Sequence, residues 1–254
     1  IRAGVDSDVA DSLIERLGLH NLSELLGNPL TLQMLASIVD ASIDYLPETR
    51  AELFERAIDV LWREENDAHE NSRLARMSKA EALNGAGAIC ASLLLTGTSA
   101  VVRSQGSLSN GTILLADVAR LPNAIAADTI VDSRLFQLPN VDGEIFPIHR
   151  TVAEYLGADW IAGQVALPDG HRIASRLMSL IAVESMIPSS LRGLHAWLAR
   201  SSAFTDQVVR NDPYGLLRYG DSSTLSAEQS VNLLDALERL EGENPYFRSG
   251  DWDS

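Results

Sequence analysis

The stretch that most constrains this chain runs Phe146-Pro147-Ile148-His149-Arg150-Thr151-Val152-Ala153-Glu154-Tyr155-Leu156-Gly157-Ala158. Thr151 and Glu154 stand in the order T-x-x-E, the pattern of a capping box, which predicts a helix beginning at Thr151. Upstream, Leu135-Phe136-Gln137-Leu138 and Ile145-Phe146-Pro147-Ile148 flank Asn140-Val141-Asp142-Gly143. Asp-Gly in such a spacer is a turn signal, so the two apolar runs read as a hairpin, and Asp142 is accounted for by its turn. The local order is therefore hairpin, His149-Arg150, helix. A helix start directs unpaired N–H groups and the positive end of a dipole at its surroundings, which suits a phosphate. On these grounds His149 either caps and packs at the junction or contacts such a group.

Further signals divide the chain. Asn28-Pro29 opens a helix whose buried side is Leu32, Leu35, Ile38 and Val39, because proline at the first helical position forfeits an N–H that has no partner anyway. Leu53, Phe54, Ala57, Ile58, Leu61 and Trp62 fall on one helical face, with Glu52 and Arg56 paired on the other. The charged run from Glu64 to Arg76, with His69 in it, reads as a surface linker. Ser78 and Glu81 form a capping box for a helix to about Leu95, on which Ala86, Gly87 and Cys90 let a neighbour approach closely. Thr96 to Gly111 is rich in Ser and Gly and reads as loop. Short helices follow over Ile113–Leu121 and Ala124–Asp132, and then the hairpin. Helices followed by a two-stranded wing predict a winged-helix domain at about 76–165, between a helical domain at 1–75 and a helical, repeat-like region at 166–254. In that last region Ile173, Leu177, Leu180 and Ile181 form one stripe, Pro188-Ser189-Ser190 starts a helix with Leu191, Leu194, Trp197 and Leu198, and Asp212-Pro213 starts another with Leu216 and Leu217. Ser226 and Gln229 cap the last helix, with Leu234 and Leu237 inside. His195 and Trp197 read as core. The fold class is mainly α.

Charge and cysteine usage narrow the partners. The 254 residues carry 20 Lys and Arg against 35 acids, a formal charge of −15. That balance disfavours nonspecific nucleic-acid binding. The helix before the wing carries Asp128 and Asp132 and no Lys, against the Arg, Lys, Asn or Gln that major-groove reading needs. The single cysteine, Cys90, excludes an internal disulfide and fits a reducing cytoplasm and a core position. The longest near-apolar run, Ala86 to Leu95, is too short to cross a bilayer, so no membrane partner is expected. A chain that begins at Ile1 and ends at Ser254 without an obvious stop reads as a piece of a larger protein.

Four regions of the sequence together resemble a known family. The run Phe146 to Ala158, F-x-x-H-R-x-x-x-E-Y-L-x-A, resembles the end of the winged-helix domain in NACHT-type STAND NTPases, the signalling ATPases that include the NOD-like receptors. Gly27-Asn28-Pro29-Leu30 matches the proline motif that opens the family's helical domain, and Leu46-Pro47-Glu48-Thr49-Arg50-Ala51-Glu52-Leu53-Phe54-Glu55-Arg56-Ala57 resembles a segment after it. Leu191 to Leu198 with Asp212 to Asp221 resembles the region that follows in bacterial members. The resemblance spans about residues 20–220. It implies that His149 touches the nucleotide phosphates in the closed, ADP-bound state and that Pro29 packs on adenine.

The chemistry of such an ATPase is not in this chain. The phosphate-cradling G-x-x-x-x-G-K-[ST] is missing, as is any apolar strand ending in paired acids for magnesium. H-E-x-x-H, C-x-x-C and G-x-S-x-G are missing too. The expectation is a regulatory segment, not itself an enzyme and binding no cofactor alone. In the full-length protein, ATP or ADP and Mg would sit in an upstream nucleotide-binding domain over which this segment closes, and activation would bring homo-oligomerisation. Bacterial relatives of that type act in antiviral defence. The alternatives are a winged-helix DNA-binding regulator, a helical protein-interaction scaffold, and a metal or acyl hydrolase built on His149 with acids.

Overall fold

The computed structural model describes residues 47–63, 74–137, 139–166, 170–182 and 186–243. The Pro29 helix, His69 and Leu138 lie outside them. The chain divides into two compact units, Ile1–Asn66 and Asp67–Ser254. The described part is mainly α-helical with one small sheet. Among the described residues no helix is long and apolar enough to cross a membrane.

In the first unit, helix α1 spans Arg50–Arg63. The Thr49 hydroxyl accepts from the Glu52 amide at 3.1 Å and starts it. Leu53, Phe54, Ala57 and Ile58 are buried, and Arg56 meets Glu52 one turn back at 2.5 Å, as the spacing predicts.

In the second unit, helix α2 spans Lys79–Thr96 and begins with the expected capping box: the Ser78 amide donates to the Glu81 carboxylate at 2.9 Å, and the Glu81 amide to the Ser78 hydroxyl at 3.3 Å. Gly97 ends it in the left-handed conformation, φ 68°. This helix is buried on nearly every side, and small residues make that possible. A Cβ added at Gly87 would lie 2.6 Å from the Trp160 Cβ and 2.7 Å from the Leu156 carbonyl oxygen.

The sheet corrects the loop reading of Thr96–Gly111. Ala100–Val102 is a fully buried strand, β1. Strand β2, Thr112–Leu114, pairs with it in parallel, Val101 opposite Ile113. Strand β3, Glu144–Ile145, pairs antiparallel on the other side, Val101 opposite Ile145. The helix expected over Ile113–Leu121 is therefore strand first and helix only at Leu115–Val118 (α3). The next is shorter than expected, Ala127–Ile130 (α4). The hairpin before His149 forms through backbone bonds, Gln137 N–H to the Phe146 carbonyl and Ile148 N–H to the Leu135 carbonyl, each 2.8 Å. Its turn holds Asn140 Oδ1 as acceptor for the Asp142 and Glu144 amides, and Gly143 has φ 77°.

Helix α5, Arg150–Val165, packs on α2. Helices α6 (Gly170–Ile181), α7 (Arg192–Leu198), α8 (Thr205–Asn211), α9 (Pro213–Tyr219) and α10 (Ala227–Glu243) follow. Asp212 caps α9 by accepting from the Gly215 amide at 2.9 Å, with Pro213 in the first position. Ser226 and Gln229 exchange the reciprocal bonds expected at the start of α10.

Three apolar assignments are corrected. Helix α6 buries Ala174, Leu177, Met178 and Ile181, a stripe spaced three and four apart, and this rotates Ile173 and Leu180 outward. On α9 Leu216 is buried while Leu217 is exposed. On α10 the buried positions are Leu233 and Ala236, and Leu234 faces outward.

Candidate functional site

The helix that His149 precedes begins one residue earlier than the T-x-x-E spacing predicts. His149 itself is the N-cap, in extended conformation, and Arg150 is the first helical residue. Nδ1 of the imidazole accepts from the Thr151 amide at 3.2 Å and lies 3.0 Å from the Thr151 hydroxyl. A backbone N–H only donates, so Nδ1 carries no proton and the neutral ring holds its hydrogen on Nε2. The Thr151 hydroxyl then donates to Nδ1 as well. Burial of the ring holds its pKa below the ordinary value of 6.5, favouring this neutral form. Among the described residues nothing bonds to Nε2.

The capping box expected of Thr151 and Glu154 does not form, because Glu154 is drawn into the interior. Its side chain is 8% exposed and accepts from Arg150 Nε at 2.9 Å. Burial pushes its carboxyl pKa up, and the bond and charge of Arg150 pull it back down. Arg150 also donates through Nη2 to the Ser190 carbonyl, in the 3₁₀ turn Ser189–Leu191 before α7. The Glu154 carboxylate rests against Gly193, whose missing Cβ would lie 2.0 Å from Oε2.

Around this seam lies a second group of side chains. Arg192 grips Asp212 with both arms of its guanidinium, Nε to Oδ2 at 2.8 Å and Nη2 to Oδ1 at 3.0 Å. It also lies over the rings of Tyr219, at 5.3 Å, and Tyr214, at 5.9 Å. Tyr155 and Trp197 meet edge to face at 4.9 Å. Trp197 and His195 are core residues as expected, but His195 is fully buried with neither ring nitrogen hydrogen-bonded, and desolvation pushes its pKa down to about 4.

Pro29, the other residue expected at a nucleotide, lies outside the described residues, so the structure does not place it beside His149. Arg103 is engaged by Asp132 at 2.8 Å and Asp128 at 3.6 Å, so the acids before the hairpin hold a cation of their own chain. Among the described residues no group of His, Cys, Asp and Glu is placed to hold a metal. An open cleft of about 330 Å³ between α8 and α10 is lined by Asp206, Arg210, Gln229, Asp235 and Arg239, among others, and His149 is not part of it. The sequence reading missed the Arg150–Glu154 and Arg192–Asp212 pairs. The first had a signal, opposite charges four apart on a helix; the second joins residues too far apart in sequence to leave one. Set against known proteins, the chain matches no family model and no curated protein.

Proposed function

We propose that this chain is the regulatory segment of a STAND-class NTPase of NACHT type, and that His149 donates a hydrogen bond to a phosphate of ADP bound in an upstream domain. The observation that carries the reading is the capping geometry at His149: Nδ1 is occupied by Thr151, which leaves an Nε2–H donor beside a helix start. The order of elements supports a winged helix. Helix α2, strand β1, helices α3 and α4 and the hairpin follow one another, and β1 pairs with the returning strand β3. Magnesium ligands and the phosphate-cradling loop belong, on this reading, to the upstream domain. Pro29 covers the adenine, and release of the segment accompanies ATP binding and oligomerisation.

The test is ADP dissociation and light scattering in the full-length protein. A hydrogen bond to a charged group contributes about 1.5–3 kcal/mol, so His149→Ala should speed ADP loss and favour the oligomer by roughly ten- to a hundredfold. His149→Asn is the sharper variant, since asparagine caps helices well and retains the fold while losing the Nε2–H reach. If His149→Asn holds ADP as long as wild type and stays monomeric, the nucleotide contact does not exist. A helical interaction scaffold is the second reading, favoured by the exposed Ile173 and Leu180 on α6. It requires partner binding that does not change with nucleotide.

A further inference from the structure

Glu154 is a costly residue where it stands. A carboxylate with this little exposure gives up most of its hydration, and an apolar side chain of similar size would fill the space between α5 and α7 without that loss. What the carboxylate adds is connection. It accepts from Arg150, the residue after His149, and it occupies the space left by the absent side chain of Gly193. Arg150 reaches past it to the Ser190 carbonyl, so the first turn of α5 holds the entry to α7 at two points. Beside Gly193, Arg192 is fixed on Asp212, and Asp212 caps α9. The contacts thus run without a break from the His149 end of α5 through α7 to the start of α9.

We propose that Glu154 is a positioning residue: seated on Gly193 and bonded to Arg150, it latches the His149 end of α5 to α7, so that the imidazole is held in its capping pose only while α7 stays docked. The further consequence, that displacing α7–α9 releases nucleotide, rests on the function proposed above. The latch itself does not, and it is read on the imidazole alone.

The experiment is ¹⁵N NMR of the His149 ring in this chain, in wild type, Glu154→Gln and Gly193→Ala. The alanine methyl falls where the carboxylate sits, and the glutamine keeps the shape while removing the charge. With the latch intact, Nδ1 accepts and the ring is held as the Nε2–H tautomer. In both variants we expect a mixture of tautomers and a His149 titration that returns toward its ordinary value. Arg150→Gln, which adds no bulk to the interior, should do the same, and it provides the reading if Gly193→Ala does not fold. Should all folded variants melt lower yet keep the wild-type tautomer and titration, Glu154 is merely a packing residue and the proposal falls. In full-length protein, Gly193→Ala should release ADP about tenfold faster, and adding it to His149→Asn should bring no further gain. If His149→Asn leaves ADP retention untouched while the ring signature still responds to Glu154, the nucleotide reading fails and the latch stands.

Discussion

Two single residues carry opposite lessons about burial. His195 has no partner for either nitrogen, so its charged form is excluded from the fold. In the unfolded chain it takes a proton near pH 6.5, whereas in the folded chain it stays neutral down to about 4. Its share of stability is therefore complete above pH 6.5 and drains away as pH falls toward 4, by about 3 kcal/mol. Glu154, with its pKa raised, acts in the opposite sense, so the two must be separated. Denaturant unfolding at pH 7 and pH 5 should show a loss that His195→Gln largely abolishes. An unchanged slope in that variant would assign the acid sensitivity to other groups. The buried Cys90 thiol is pushed up to about 12, so a thiol reagent at pH 8 should label it only at the rate of unfolding. Local chemistry of this kind was partly legible in the sequence. Cys90, His195 and Trp197 read correctly as core. The pattern T-x-x-E misled, because Glu154 is bonded by Arg150 and buried against Gly193, while the equally local Ser78 and Glu81 stand exposed at the surface.

Among the elements, the contact between α2 and α5 is set by backbone proximity, and one substitution placed at two sites measures it. Alanine in place of glycine in a helix gains about 1 kcal/mol of propensity. At Gly163, where an added Cβ meets nothing within 4 Å, that gain should appear as higher stability. At Gly87 the methyl meets the Trp160 Cβ and a main-chain oxygen, neither of which can swing aside, so α2 and α5 must part. Overpacking of this type costs about 1–3 kcal/mol, which outweighs the propensity term. Gly163→Ala should thus raise the melting temperature and Gly87→Ala lower it. Equal shifts would mean that the helices have room to spare. The capped helices α2 and α10 could be read from sequence because their start signals are local. Strand β1 could not, since three residues, Ala100–Val102, carry almost no periodicity and owe their conformation to β2 and β3 from elsewhere in the chain. On α6 and α10 the helix was legible but its rotation was not: on α6 Ile173, Leu177, Leu180 and Ile181 fit one apolar stripe, Ala174, Leu177, Met178 and Ile181 another, and only packing selects between them.

For the whole molecule, nucleotide turnover is the broadest test. Lacking the phosphate-cradling loop and its lysine, the purified chain should hydrolyse ATP no faster than a blank, and turnover clearly above background would overturn the assignment of chemistry to an upstream domain. The mainly α architecture was legible at this scale because helix signals recur along the chain. The packing of α5 on both α2 and α7 was legible only in part: Ala86, Gly87 and Cys90 announced a close neighbour for α2, but which helix it is, and the buried carboxylate between α5 and α7, left no mark in periodicity. The burial of α2 on nearly all sides also has a bearing on biosynthesis. A chain emerging from the ribosome exposes Lys79–Thr96 well before Val165 completes the helix that covers it. At about 5–20 residues per second that interval lasts several seconds, during which an alanine- and leucine-rich helix has no partner. Nascent chains arrested before α5 should therefore be avid clients of holding chaperones, and those arrested after it should not.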